Sequence, residues 1–408
     1  MSVRCQDDRY QFRFLICTRD RPKSLNKCLK ALKEACRCLS RERVAIDILD
    51  DSTCEHKRQL NRSVCGEIFS KGTCRIVTNA TPLVSELLQI SGKSKFALCR
   101  PLGTSIWDLA GARNLAFAYA YASSRDQDLI VFLDDDICLN TSWYNNTRYK
   151  VYGRVLLNYL AKSMPAYEPL AIGVPYVGRV DLSILDHLSV LLANGKPERS
   201  FARPFCDFPA ALPTVNTRAP TASYDFSPGI SGAFLATNRL TLRHRPLPRC
   251  YNEDWIWLLL LKHRGGTVRC VERPVLHAGP CTQVSLEVLQ YQMFGDVLYH
   301  GLYLLMSCEN TAPTSLSAEH IRKALRYQLE LIQQIKGGAL ALTRSNICSP
   351  DEVRGVLELI RLLEQMKRYA QSLDPYAVCS FWKSYLDMIP KWRALLAHVD
   401  HWLGYRRS

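Results

Sequence analysis

Hydrophobic residues in the first two thirds of the chain fall into short runs typical of strands, with amphipathic helical spacing between them. The runs Phe12 to Cys17, Val44 to Leu49 and Leu129 to Leu133 have the length and composition of buried strands. Apolar residues every three or four positions between the first two runs predict a helix. This alternation of strand and helix predicts an α/β fold with βαβ units of the nucleotide-binding kind.

The last part of the chain has a helical pattern instead. Residues 321–335 keep apolar positions at helical spacing, and the sequence Ser-Pro-Asp-Glu at 349–352 is a capping box that predicts another helix start. We therefore predict an α/β domain over 1–281 and a helical C-terminal appendage over 282–408 with no chemistry of its own. Nine prolines between 140 and 228 predict a loop-rich insertion on the substrate side.

The third predicted strand ends in three consecutive carboxylates, Asp134, Asp135 and Asp136. Side chains alternate along a strand, so Asp134 and Asp136 are predicted to share a face and Asp135 to point the other way. Open α/β sheets bind ligands at the carboxyl ends of their strands. Two carboxylates there would repel each other unless a divalent cation or a cationic side chain lay between them. The pattern alone leaves two interpretations open: a cation of undetermined nature at this position, or a solvated acidic turn that follows a core strand.

A second acidic pair, Glu253 and Asp254, begins a predicted helix that ends at Gly265. Carboxylates are favoured at that end of a helix by its dipole. His277 lies in the segment after the next predicted strand. Because the chain already contains a candidate metal site, His277 is a candidate ligand as well as an ordinary packed histidine.

Two further segments contain residues suited to ligand contacts. Arg113 lies in the predicted helix that precedes the acidic strand, where it could be a surface charge or a contact to a diphosphate. Ser231 and Gly232 precede a later predicted strand, and small residues there permit a ligand to approach the backbone closely.

Composition narrows the class of protein. Of 408 residues, 47% are hydrophobic and 22% charged, as in ordinary globular proteins, and the apolar runs are too short to span a bilayer. The N-terminal segment is too polar for a signal peptide, so we expect a cytoplasmic protein. The seventeen cysteines are an odd number without a Cys-x-x-Cys pair, which predicts reduced thiols and no structural zinc site.

Charge and glycine content add two constraints. The net charge of +15 is spread along the chain and suits phosphate-bearing ligands, anionic membranes or nucleic acid without choosing among them. The glycine fingerprint of dinucleotide-binding domains is missing after the first strand, which argues against a nicotinamide or flavin enzyme.

Over roughly residues 11–280 the chain resembles glycosyltransferases of the GT-A fold, most closely family 2. Each matching motif is weak alone, but the motifs occur in the family's order. They are Thr18-Arg19, Asp50-Asp51-Ser52, Ala112-Arg113-Asn114, the Asp-x-Asp motif at Asp134-Asp135-Asp136, the Ser-Gly-Ala turn from Ser231, and Glu253-Asp254 at the start of a helix. The resemblance implies a Rossmann-like mixed sheet flanked by helices, acting on a nucleotide-diphosphate sugar.

The resemblance also implies roles for these residues. Mn²⁺ or Mg²⁺ would be bound by Asp136, Asp134 and His277 and would bridge the donor diphosphate. Asp254 would be the general base for the acceptor hydroxyl, with Glu253 beside it in the catalytic pair. The donor would contact Thr18, Arg19, Asp50, Asp51, Arg113, Asp134 and Asp135. The acceptor would lie near Ser231, Gly232 and Trp255.

The leading hypothesis is thus a metal-dependent glycosyltransferase, inverting if Asp254 is the base, although retaining enzymes share most of these motifs. A nucleotidyltransferase would normally have a glycine-rich loop after the first strand, and Thr18 to Lys23 contains no glycine. A non-catalytic nucleic-acid-binding or scaffold protein on the same fold is the third hypothesis. The sequence determines neither the donor sugar, nor the acceptor (small molecule, glycan or nucleic acid), nor the oligomeric state.

Overall fold

A computed structural model describes most of the chain. The described residues are 11–39, 43–70, 72–94, 96, 98, 108–144, 147–163, 168–174, 176–178, 231–271, 274–278, 286–344 and 350–407. Most of the predicted insertion, from 179 to 228, therefore lies outside the described residues.

The strands and helices are numbered in chain order. The strands are β1 Phe12–Thr18, β2 Val44–Asp50, β3 Cys74–Val77, β4 Leu129–Asp134, β5 Ile137–Cys138, β6 Asn140–Tyr144, β7 Thr147–Tyr152, β8 Leu170–Val174, β9 Tyr176–Gly178, β10 Ser231–Thr237, β11 Thr267–Cys270 and β12 Val275–His277. The helices are α1 Pro22–Ala35, α2 Glu55–Ile68, α3 Pro82–Ser94, α4 Leu109–Ser123, α5 Gly153–Ser163, α6 Arg239–Leu242, α7 Glu253–His263, α8 Leu286–Tyr303, α9 Ala318–Arg344, α10 Pro350–Ser372 and α11 Pro375–Arg407.

The main sheet has the strand order β11-β8-β10-β4-β1-β2-β3. β4, β1, β2 and β3 are parallel, and β10 is antiparallel to both of its neighbours. In β1, Phe12, Phe14 and Ile16 pack with α1 and α5 on one face of the sheet, and Leu15 and Cys17 pack with α3 and α4 on the other. Both faces are buried, as the unbroken apolar runs predicted. The predicted α/β class with a mixed sheet is confirmed.

A small second sheet, of order β5-β12-β9, continues from the end of β4. β5 begins only three residues after β4 ends, and His277 of β12 is paired with Ile137 of β5. This pairing brings a residue from late in the chain to the carboxyl end of β4.

The helices after residue 285 share cores with the α/β region. Ile256, Leu259 and Leu260 of α7 pack into one cluster with α8, α9, α10 and α11. In the middle of α11, Trp392 is fully buried against the helices of the main sheet and donates a hydrogen bond from Nε1 to the Leu242 carbonyl oxygen at 2.9 Å. The prediction of helices is confirmed. The central residues of α7 are apolar and pack into two clusters, so the C-terminal helices share cores with the α/β region. The division into a domain over 1–281 and an appendage over 282–408 stays a prediction.

One other prediction differs in part from the structure. The described residues between 140 and 178 lie mostly in regular elements rather than loops, namely the β6–β7 pair, α5, β8 and β9, and β8 is an inner strand of the main sheet. The first helix, α1, begins at Pro22, where proline is favoured because the first helical N–H needs no intrahelical partner. None of the helices in the described ranges is long and apolar enough to cross a membrane.

Candidate active site

The acidic triplet does not continue the strand. β4 ends at Asp134, and Asp135 and Asp136 form a turn before β5. Strand alternation therefore stops at Asp134, and each carboxylate meets a different set of partners. The prediction that Asp134 and Asp136 share a face is wrong for this reason.

Asp135 and Asp136 share one arginine from the turn after β1. Arg21 Nη1 lies 2.8 Å from Asp136 Oδ2 and 3.3 Å from Asp135 Oδ1. The Thr18 hydroxyl donates a hydrogen bond to Asp135 Oδ2 at 2.6 Å. Asp135 is fully buried, and this burial raises the pKa of its carboxyl to about 7 although Arg21 lowers it. Arg21 itself is 30% exposed, so the cation of this cluster lies at the solvent side.

His277 completes the surroundings of Asp136. Its Nε2 lies 3.1 Å from Asp136 Oδ1, and the Ala278 amide donates to the Asp136 carbonyl oxygen at 2.8 Å. Both side chains are buried. The Asp136 carboxylate thus lies between an imidazole on one oxygen and a guanidinium on the other.

Asp134 turns towards α4, where Arg113 links it to the second acidic pair. Arg113 Nη2 donates to both carboxylate oxygens of Asp134 at 2.8 and 3.0 Å, and Nη1 donates to Glu253 Oε1 at 2.5 Å. Burial lowers the pKa of Arg113, but the neighbouring carboxylates raise it by more, to well above its ordinary value. Burial raises the pKa of Glu253 to about 8 against the opposing charge of Arg113. Arg113 was predicted to contact a diphosphate, and this contact stays a prediction.

Glu253 and Asp254 point in different directions from the start of α7. Glu253 is buried on Arg113, whereas Asp254 is partly exposed and its Oδ1 accepts from the Trp255 amide at 2.9 Å. The Trp255 ring lies edge-on to Tyr299 of α8 at 5.3 Å between centroids. The acceptor role predicted for Trp255 is not tested by this packing and stays a prediction.

The carboxyl ends of β1 and β2 are tied together by side-chain and main-chain hydrogen bonds. The Asp51 amide donates to the Thr18 carbonyl oxygen at 2.9 Å. The Ser52 amide donates to Asp50 Oδ1 at 3.0 Å, and the buried Asp50 Oδ2 has no hydrogen-bond partner among the described residues. Arg19 lies partly exposed in the turn after β1. A buried carboxylate oxygen with unused acceptor capacity suits a ligand N–H or O–H.

Ser231 and Gly232 begin β10, which runs antiparallel to β4. Their backbone therefore lies beside the carboxyl end of β4, at the same edge of the sheet as the acidic triplet. The sequence analysis expected them before the strand, whereas they are its first two residues, and their contact with an acceptor stays a prediction.

The predicted metal ligands form only part of a set. Within the described ranges no group of three or more His, Cys, Asp or Glu side chains is arranged to hold a metal ion. Asp136 and His277 lie together, but Asp134 is engaged by Arg113, so the three-ligand set is not assembled. Mg²⁺ is commonly bound by one or two protein ligands together with substrate phosphates and water. Asp136 with His277 fits such a shared site.

Sequence comparisons find nothing. No protein-family model and no curated protein sequence matches this chain.

Solved structures do resemble it. Glucosyl-3-phosphoglycerate synthase from Mycobacterium tuberculosis, in complex with Mn²⁺, UDP and glucosyl-3-phosphoglycerate, is 13% identical, with a TM-score of 0.39 over 74% of this chain and 81% of that chain. The same synthase with Mg²⁺ and UDP gives a TM-score of 0.40 at 13% identity over 74% and 80% of the two chains. A mannosyltransferase from Pyrobaculum calidifontis, in complex with GDP-Man and Mn²⁺, is 11% identical, with a TM-score of 0.38 over 95% and 86%. Similarity at this level establishes no activity or substrate for this chain.

Sequence reasoning missed two residues of this region, Arg21 and Asp20. Arg21 was not recognised as the cation beside the triplet, although a buried acidic cluster requires one and Arg21 lies in the turn of the adjacent strand. Asp20 has a left-handed backbone with φ of 59°, and its carboxylate accepts from the Thr53 amide at 2.9 Å. The Asp20 amide donates to Ser52 Oγ at 3.1 Å. Aspartate tolerates that conformation, but the sequence alone does not reveal such a link between two turns.

Proposed function

We propose that this protein is a metal-dependent glycosyltransferase that moves a sugar from a nucleotide-diphosphate sugar to an acceptor hydroxyl. One observation carries the proposal: the Asp136 carboxylate has His277 Nε2 at 3.1 Å and a solvent-side cation, Arg21, at 2.8 Å. A carboxylate and an imidazole at the carboxyl end of a parallel sheet suit Mn²⁺ or Mg²⁺ shared with a diphosphate. Arg21, whose side chain is 30% exposed, would then contact a phosphate oxygen of the donor.

The donor would lie across the ends of β1, β2 and β4. Asp50 Oδ2 would accept a hydrogen bond from the nucleoside, and the main-chain hydrogen bond between Asp51 and Thr18 would hold the ends of β1 and β2 together beneath it. Asp135 is held by Thr18 and Arg21, so we assign it to supporting Arg21 and the neighbouring Asp136. A bound divalent cation would neutralise the charge that develops on the departing diphosphate.

Asp254 is the proposed general base. It is the partly exposed member of the second pair and lies in the first turn of α7. A sugar hydroxyl is a poor nucleophile, so a carboxylate must take its proton during attack on the anomeric carbon. Glu253 faces inward and joins α7 to Arg113 and so to Asp134. Attack assisted by a base opposite the leaving group inverts the anomeric configuration.

The experiment is a panel of nucleotide sugars incubated with the protein and Mn²⁺ or Mg²⁺, scored by released nucleoside diphosphate. Asp136→Asn should abolish metal-dependent release. Asp126→Asn is the matched control, because the Asp126 side chain is 83% exposed and lies in a surface ion pair. No release with any donor, together with no metal-dependent shift in melting temperature, would reject the proposal.

A product-stereochemistry measurement tests the base separately. An NMR time course of the anomeric proton should show inverted configuration in the first product formed. Retained configuration would reject Asp254 as a base while leaving the transferase proposal standing.

A second candidate has one observation in its favour. Arg21 and Arg113 neutralise the acidic residues without any metal ion. The same geometry would suit a non-catalytic binding protein on this fold. Ligand binding that is unchanged by Asp136→Asn, with no turnover, would favour that candidate.

A further inference from the structure

The C-terminal helices contact Tyr251 and Asn252, which come shortly before the proposed base Asp254 in the chain. α8 packs directly against Tyr251, two residues before Glu253. A Cβ atom placed on Gly295 of α8 would lie 2.3 Å from the Tyr251 carbonyl oxygen, which no real side chain tolerates. Tyr291, one turn earlier on α8, lies edge-on to the Tyr251 ring at 6.3 Å between centroids. Backbone contact here is possible because residue 295 is glycine.

Asn252 makes the decisive contact. Its backbone is left-handed, with φ of 60° and ψ of 28°, and it immediately precedes the first residue of α7. Its Nδ2 donates a hydrogen bond to Asp296 Oδ1 at 2.8 Å, and both side chains are buried. A carboxylate acceptor makes this bond stronger than a neutral one, and removing either partner leaves the other buried without its bond.

This contact determines the start of α7. The Asn252 carbonyl oxygen accepts the first helical hydrogen bond, from the Ile256 amide at 2.9 Å. The direction in which the helix leaves that residue places Glu253 on Arg113 and turns Asp254 outward. A rotation at Asn252 would move both carboxylates, and displacements of about 1 Å in a catalytic group can cost on the order of a hundredfold in rate.

We propose that Asp296 is a positioning residue for Asp254, acting through Asn252. The inference rests on the proposed function. It gives the helical region a part in the chemistry, although none of its residues need touch the substrate.

Two variants remove the contact in different ways. Asp296→Ala removes the acceptor, and Asn252→Gly removes the donor while keeping a residue that adopts the left-handed backbone without strain. Each should lower kcat by about tenfold or more with the KM for the donor within about twofold of wild type, because the donor site lies on β1, β2 and β4. The double variant should be no slower than the worse single variant.

Two further variants separate positioning from general loss of stability. Asp296→Asn keeps an oxygen acceptor and should recover kcat to within about threefold of wild type. Gln328→Ala is the control: Gln328 of α9 is buried and its Nε2 lies 2.9 Å from Nδ1 of His300 on α8, but it takes no part in the hydrogen bond between Asn252 and Asp296. It should lower the melting temperature and leave kcat unchanged.

Hydrogen–deuterium exchange tests the positioning without any activity assay. Peptides covering 253–257 should exchange faster in Asp296→Ala and Asn252→Gly than in wild type or Gln328→Ala, because the first turn of α7 loses its fixed start. Unchanged exchange there, or kcat losses that merely follow melting temperature across all four variants, would overturn the inference. Absent turnover in the wild type with any donor, together with no metal-dependent shift in melting temperature, would instead reject the proposed function, and the exchange result would still decide the positioning.

Discussion

The two acidic clusters are supported by different parts of the molecule. The triplet at the end of β4 is held by neighbours within the α/β region: Thr18 and Arg21 from the end of β1, and His277 through a short strand pairing. The pair at the start of α7 depends on the helical region, through Asn252 and Asp296. Both clusters join segments that are far apart in sequence: Thr18 and Asp135 are 117 residues apart, and Asn252 and Asp296 are 44 residues apart. The first cluster is brought together by the order of strands in the sheets, whereas the second depends on how the C-terminal helices pack beside α7, which no local pattern reveals.

The largest expected effect is on kcat, and it should distinguish the chemical role of the Glu253-Asp254 pair from that of the acidic triplet. Asp254→Asn should lower kcat by about 10²–10⁴-fold, because it removes the proposed base, while the donor KM stays close to wild type. Asp136→Asn should instead weaken metal-dependent donor binding. Steady-state kinetics with titration of Mn²⁺ would measure both, and an equal rise in donor KM for the two variants would remove the distinction.

The next largest effect tests whether the α/β region and the C-terminal helices unfold in a single cooperative transition. Trp392→Ala should lower the free energy of unfolding by about 3–5 kcal/mol, since it removes a fully buried indole packed on Phe96. Because the cores are shared, the loss should appear as one transition moved to lower denaturant concentration. Chemical denaturation followed by circular dichroism would measure it. A new, separate transition for the helices would mean that they fold independently after all.

Each cluster also contains one buried carboxyl with a raised pKa, which predicts how stability changes with pH. Burial raises the pKa of Asp135 to about 7 and that of Glu253 to about 8. A carboxyl with a raised pKa in the folded state stabilises the protein fully at acidic pH, and this contribution is lost as pH rises through the folded-state pKa.

Glu253→Gln, which resembles the protonated acid, should therefore flatten the fall in unfolding free energy between about pH 5 and 8. Asp135→Asn should flatten the fall in unfolding free energy over a pH range that ends near 7 instead of 8, because the pKa of Asp135 is about one unit lower than that of Glu253. Denaturant titrations across this range would measure both variants, with Asp126→Asn as the control. If neither variant changes the dependence of unfolding free energy on pH, the ion pairs with Arg113 and Arg21 outweigh the effect of burial and keep both carboxyls charged.

The smallest effect concerns the competition between Arg21 and a metal ion for Asp136. Arg21→Gln should tighten Mn²⁺ binding in the absence of nucleotide by about two- to fivefold, because a partly exposed ion pair is worth less than about 1 kcal/mol. Isothermal titration calorimetry would measure the change. Weaker binding in the variant would show that Arg21 supports the site before the donor arrives.

The sequence predicted the α/β region because its signals are local. Buried strands read as apolar runs, and the carboxylates at their ends were placed at one edge of the sheet by strand direction alone. Prediction failed where the strand stopped: alternation could not indicate that Asp135 and Asp136 lie in a turn, nor that Arg21 and Arg113 would each bind a different carboxylate. It failed again for the helices, whose amphipathic faces indicate burial but not the surface that buries them.

Arg113 has a consequence for how variants of this protein combine. One guanidinium holds Asp134 at 2.8 Å and Glu253 at 2.5 Å, so the two carboxylates share a single counter-charge. If one carboxylate is removed, Arg113 still forms an ion pair with the other. If both are removed, the buried Arg113 loses its ion pairs with Asp134 and Glu253. Losses in stability from substitutions at the two positions should therefore not add, and the double variant should be less stable than the sum of the single variants predicts. The effects of substitutions at Asp134 and Glu253 on the free energy of unfolding are therefore coupled, although the two positions are more than a hundred residues apart in sequence.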